Sequence, residues 1–234
     1  MLKRLEFWTG LAAIAAALME TLNAVVSMVS DLPHMWAMRL VPPNGGPAQM
    51  QGIIVLWDQL TAVFSNGPFL VYGIAVVLVL LGLWRLASGP ASRWLLAAFV
   101  LGLAFFVSTL WNLWQSSLPV VPVYDPMRTV PIVLRAAAGL SLLIGLLLSR
   151  VVRRWIAWLL AVALIIVTVV DSVWLWAGET RAPWGGQLYR APFSWFDWAS
   201  YLLIAAFWLA LGIALILRAR GANRQSGDYL PGNS

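Results

Sequence analysis

Few residues in this chain are suited to chemistry, and most of them stand inside apolar runs. Glu20 interrupts the first such run with Asn23 nearly one turn further on, Arg135 and Asp171 each lie within later runs, and Asn112 and Gln115 close another in "STLWNLWQSS". A charged group at membrane depth is costly and by default marks either a function or a structural pair. A carboxylate such as that of Glu20 must therefore be protonated, be paired with a cation such as Arg135, or face water in a cavity. In the first and last cases it can exchange a proton or hold a ligand; in the second it ties helices together. At 1.5 Å per residue, Arg135 and Asp171 each lie roughly 7 to 8 Å inside their runs, and Glu20 lies deeper, at about 13 to 14 Å. An Asp171–Arg135 ion pair across two adjacent helices is expected. His34, in "SDLPHMW", lies three residues from Asp31 just beyond the first run, where a carboxylate can orient an imidazole. A single loop histidine is usually neither a base nor a metal ligand.

The rest of the composition removes whole classes of chemistry. With no cysteine there is no thiolate nucleophile, disulfide or iron-sulfur ligand, and with one histidine there is no multi-histidine metal centre or bis-histidine haem. Lys3 is the only lysine and precedes the first apolar run, so no lysine stands within a spanning segment to form a retinal Schiff base. The sequence lacks a Gly-x-Ser-x-Gly elbow, a His-Glu-x-x-His pair and a phosphate loop. Neither a metal nor a cofactor is expected, and catalysis is the less favoured reading.

The elements that must position these residues are membrane helices. The chain of 234 residues is 62% hydrophobic and 10% charged with a mean hydropathy of +0.84, outside the range of an ordinary soluble domain. About 20 apolar residues span a bilayer, and six runs of that kind occur near 7–29, 67–87, 94–116, 130–149, 155–177 and 198–218. A spanning segment exposed to lipid must satisfy its own backbone, so each run is read as a helix. Ala15, Ala16 and Ala17 look like a signal cleavage site, but the apolar stretch continues to Val29, which favours an anchor. Alternate loops then divide the basic residues ten to five, with Lys3, Arg4, Arg85, Arg93, Arg150, Arg153, Arg154, Arg218, Arg220 and Arg224 on the richer side. The positive-inside rule makes that side cytoplasmic, with both termini on it. The formal net charge of +6 is thus topological and no footprint for nucleic acid.

The predicted fold is an all-α polytopic bundle of six transmembrane helices over residues 1–218, followed by a polar cytoplasmic tail, 219–234, expected to be disordered. The inner loops are short. The outer connections are longer and richer in Pro, Gly and Trp, so a localised function is expected to face outward. Within the first of them, Ile53, Leu56, Trp57, Leu60, Val63 and Phe64 recur at helical spacing near 48–64, which predicts an amphipathic helix at the outer interface, either shielding the bundle or closing over it as a lid. Five tryptophans fall within 174–198. Trp174, Trp176, Trp195 and Trp198 suit an interfacial belt, because the ring is apolar and its N–H needs water or headgroups. Trp184 stands mid-loop beside Gly185 and Gly186, free of that duty, and can plug the bundle mouth or stack on a ligand.

Six helices, cytoplasmic termini, a long first outer loop and the small-residue faces Ala12/Ala16 and Ala13/Ala17 give the chain a topology that resembles the substrate-binding membrane subunits of energy-coupling-factor vitamin transporters. That resemblance is topological and rests on no specific motif; it implies a membrane-protein partner on the alanine face and outer loops that close over a ligand. The tryptophan content is similar to that of the tryptophan-rich sensory proteins, without their motifs. Two readings follow. In one, the bundle binds or translocates a small amphipathic molecule or lipid through an outward pocket of Glu20, Asn23, Asn112, Arg135, Asp171 and Trp184. In the other, it is a non-catalytic accessory or scaffold subunit whose polar residues fix its helices.

Overall fold

The computed structural model describes residues 2–40, 68–116, 129–149, 151–179 and 190–227, with side chains described for 2–26, 28, 68–111, 130–149, 151–169 and 198–221. These residues form helices α1 (Leu2–Leu40), α2 (Pro68–Leu86), α3 (Pro90–Ser116), α4 (Thr129–Leu148), α5 (Arg154–Glu179) and α6 (Arg190–Gly227), and no strand occurs among them. Five are long and apolar enough to cross a membrane: Leu2–Val26, Pro68–Leu86, Pro90–Trp111, Val130–Leu148 and Trp198–Gly221. In α5 the apolar stretch Arg154–Val169 reaches the last residue whose side chain is described. The helix expected near 48–64 lies outside the described residues.

Two helices differ in length from the hydropathy pattern. α1 does not stop near Val29 but continues through Pro33 and His34 to Leu40, and α6 begins eight residues before Trp198 and ends at Gly227, inside the stretch expected to be a tail. Hydropathy marks where a chain leaves hydrocarbon, whereas a helix ends where its backbone ladder ends, and a polar turn propagates the ladder in water at little cost. Pro33 removes one N–H from α1 without ending it. The short turns follow local chemistry more closely. Ala87 closes α2 by donating to the Leu83 carbonyl (3.0 Å), Gly89 takes a left-handed φ of 62°, and Pro90 opens α3, where its missing N–H costs nothing.

Antiparallel packing follows from the pairs of residues that meet. α1 lies along α6 with Glu6 against Arg218 and Gly10 against Gly212; a Cβ on Gly212 would stand 2.7 Å from the Gly10 carbonyl oxygen and 3.1 Å from the Ile14 nitrogen. Close backbone approach through small residues is how helices gain contact where lipid offers no hydrophobic drive. Thr9 packs on Gly82 of α2, Trp84 of α2 stacks on Phe99 of α3 (6.3 Å, 12°), Leu95 of α3 covers Gly145 of α4, and Leu164 of α5 covers Gly139 of α4. α5 also packs on α6. Each helix thus meets its neighbour in sequence, and α6 returns to α1.

The core is Ala13, Ala16, Val79, Leu83, Leu95, Ile156, Phe207, Leu211 and Leu215, all buried, with Ala17 beside them and Ala12 packed against the cluster. The alanine face that the sequence offers to a partner is therefore occupied by the chain's own helices. Outward faces are apolar too: Trp8, Leu18, Leu22 and Val25 of α1 and Trp155, Trp158, Val162, Ile165 and Val169 of α5 are all exposed. A surface of that kind suits lipid, since soluble proteins rarely expose large contiguous apolar patches. Lys3, Arg4, Arg85, Arg93, Arg153, Arg154, Arg218 and Arg220 are exposed at the end where α1 starts and α6 finishes, hereafter the basic end.

Candidate functional site

Towards the opposite end, the far end, four helices carry polar side chains: Glu20 and Asn23 on α1, Tyr72 on α2, Arg135 on α4 and Tyr201 on α6. Glu20 of α1 is only 4% exposed, and Asn23, one turn on, donates from Nδ2 to its Oε2 at 3.4 Å. The antiparallel register that sets Thr9 on Gly82 brings Glu20 level with Tyr72 of α2. Trp208 of α6 donates its indole N–H to the Tyr72 hydroxyl at 3.3 Å. Glu20, Arg135 of α4 and Tyr201 of α6 all lie close enough to that hydroxyl to act on it electrostatically. Indole N–H is a donor only, so the Tyr72 oxygen accepts from Trp208 and its own proton points elsewhere. The cluster therefore holds a buried acid, a half-buried guanidinium and a half-buried phenol that accepts from an indole.

Glu20 and Arg135 each stand inside an apolar run, and Tyr72 lies four residues beyond Pro68 in α2. Leaving such a carboxylate unpaired in low dielectric would cost several kcal/mol; donors and a cation nearby offset that cost.

Of the six residues picked out in the sequence, Glu20, Asn23 and Arg135 belong to this cluster. The side chains of Asn112 and Asp171, and the whole of Trp184, lie outside the described residues, as do the His34 side chain and the expected Asp171–Arg135 pair. Trp111, next to Asn112, is exposed on the outside of α3. Trp198 departs from its assignment to the interfacial belt: it is buried in the bundle, with Ser200 buried nearby on the same helix. Sequence reasoning missed Tyr72, Tyr201 and Trp208. Trp208 did carry a signal, since it stands ten residues beyond Trp198, about 15 Å along the helix and too deep for a belt.

A second polar arrangement ties the basic end. Arg218 of α6 pairs through Nε with Glu6 of α1 at 2.9 Å, and its Nη1 donates to the Val151 carbonyl in the turn between α4 and α5 at 2.9 Å. The guanidinium is half exposed, at 48%, and the carboxylate nearly buried, at 10%. One arginine thus connects α1, α6 and the α4–α5 turn. Beside it a cavity of about 290 Å³ is lined by Leu86, Ala87, Ser88, Leu148, Ser149, Val151 and Arg218. Among the described residues no group of three or more His, Asp or Glu side chains is placed to hold a metal. No family model, curated protein or solved structure matches the chain.

Proposed function

We propose that this protein is an integral membrane protein of six spans, with both termini in the cytoplasm, that binds or translocates a small amphipathic molecule or lipid through a pocket at the far end. The buried Glu20 carboxylate with Asn23 donating to it, and the Trp208–Tyr72 hydrogen bond near the same level, carry the reading. A ligand with an apolar body can enter between helices whose outward faces suit lipid, while its polar head meets the acid, the phenol or the guanidinium. That is the usual composition of a small-molecule site: mostly apolar walls and a few fixed polar groups. Asn112, Asp171 and Trp184 are proposed to complete the mouth of the pocket. The cytoplasmic assignment rests on the concentration of Lys and Arg at the basic end.

The test is retention of small molecules by the purified protein. Native mass spectrometry of wild-type protein extracted in mild detergent is expected to show a bound amphiphile, and Glu20→Gln and Tyr72→Phe are expected to lose it while remaining folded. Equal retention in both variants would remove the pocket from consideration. The second reading, a scaffold subunit of a larger membrane assembly, is favoured by the burial of Glu20 and its internal bond from Asn23, which are what a purely structural cluster requires. Under it, wild type carries no small molecule and instead copurifies with a defined membrane protein that Glu20→Gln releases.

A further inference from the structure

The cavity at the basic end lies at the level where a bilayer changes from hydrocarbon to headgroup. Its apolar wall includes Leu86 and Leu148, the last residues of the stretches Pro68–Leu86 and Val130–Leu148. Both leucines end apolar helices long enough to cross a membrane. Ser88 and Ser149 follow these leucines closely in the chain, and with Arg218 of α6 they give the same cavity a polar part beside its apolar one. Its volume of about 290 Å³ is at the small end of ligand sites, which suits a headgroup more than a whole molecule.

Charge selects the sign of that headgroup. Arg85, Arg93, Arg153, Arg154 and Arg220 are exposed at the same end, and the cavity's own charged lining residue is Arg218. Its guanidinium is half exposed while gripped by Glu6 and the Val151 carbonyl. A guanidinium held in one orientation loses little freedom when it meets an anion, and its planar fork matches phosphate oxygens. The Ser88 hydroxyl, in the exposed turn between α2 and α3, can add a donor from the opposite wall.

We propose that this cavity, between the turn 87–89 and residues Ser149 and Val151 and anchored by Arg218, binds the phosphate of an anionic headgroup, with a phospholipid of the cytoplasmic leaflet as its source. The site rests on the membrane reading given above and is independent of the Glu20 cluster. A bound lipid would bridge the α2–α3 turn to the α4–α5 turn at the point where Arg218 already joins α1 and α6.

The experiment incorporates the full chain into mixed micelles with phosphatidylglycerol and phosphatidylcholine at equal amounts and reads the ratio retained per protein by native mass spectrometry. Wild type is expected to favour phosphatidylglycerol. Arg218→Gln is expected to lower the ratio about fivefold, the worth of one basic side chain at an anionic surface. Ser88→Glu leaves the Glu6–Arg218 pair intact and is expected to lower it at least as much, so the result does not depend on the folding of the arginine variant. Arg4→Gln, an equal change of charge outside the cavity, is expected to keep the ratio within about twofold. Equal retention of the two lipids by wild type overturns the proposal, and so does a loss in Arg4→Gln as large as in Arg218→Gln, which would mean diffuse attraction. Inorganic phosphate distinguishes the source: no displacement at millimolar concentration supports a lipid, and displacement supports a free phosphate in the same site. A chain that fails to partition into micelles at all would count against the membrane reading instead.

Discussion

Both ends of the bundle hold a glutamate of α1 and an arginine of another helix, yet they use the same chemistry to different ends. At the basic end, Glu6 and Arg218 meet directly, and the arginine stays half in water. At the far end Glu20 is buried and accepts from the neutral amide of Asn23, and Arg135 of α4 is half-buried. Depth accounts for the difference. A pair near the headgroups keeps part of its hydration and needs few other partners, whereas a carboxylate inside the hydrocarbon must collect donors from several helices. The first arrangement is a clamp to which a surface anion can add, and the second is a preorganised polar region that a ligand can exploit.

Substitutions can break or sharpen that contrast. Glu20→Ala is expected to be the most damaging, costing about 3 kcal/mol or more because it strands buried polar partners of the carboxylate; a thermal melt in detergent measures it, and a loss under about 1 kcal/mol would mean that Glu20 is wet. Gly212→Ala comes next, at about 2 kcal/mol, because its new methyl would meet the Gly10 carbonyl at 2.7 Å and backbone atoms cannot rotate away. Gly221→Ala is its control: nothing lies within 4 Å of that Cβ, so stability should stay unchanged or rise slightly. Glu6→Gln is expected to cost about 1 kcal/mol, the modest value of a pair partly in water, and high salt should shrink the difference between variant and wild type. Trp208→Phe removes one hydrogen bond to Tyr72 and should cost about 1 kcal/mol. Its clearer signature is a change in the near-ultraviolet spectrum of the half-buried tyrosine. If the Glu6→Gln loss exceeds that of Glu20→Ala, the proposed division of roles between the ends is wrong.

Much of the architecture was legible in the sequence because lipid imposes strict rules. Long apolar runs, the helical state and the concentration of basic residues on alternate loops follow from composition alone. The candidate site was legible in part. Glu20, Asn23 and Arg135 stood out because charge and amide groups are rare in apolar runs. Tyr72 did not, since a tyrosine four residues inside a helix looks like a belt residue, and Trp208 was passed over although its place ten residues beyond Trp198 is too deep for a belt. Glu6 was overlooked for a related reason: beside Lys3 and Arg4 it reads as part of a charged flank, and nothing local shows that its partner is 212 residues away at Arg218. The alanine face of α1 packs on the chain's own core, since small residues mark close packing without saying whose helix fills the space.

From the sequence come the medium this protein is built for, the helical state of its spans and the end at which positive charge collects; each depends on the cost of single residues in hydrocarbon. Helix register is another matter. Only the folded chain decides that Gly10 meets Gly212, that Tyr72 stands level with Glu20 and that Arg218 reaches both Glu6 and the Val151 carbonyl. Those meetings depend on how antiparallel helices slide and rotate until their small residues interlock, and a pattern of hydropathy is nearly blind to a shift of one turn.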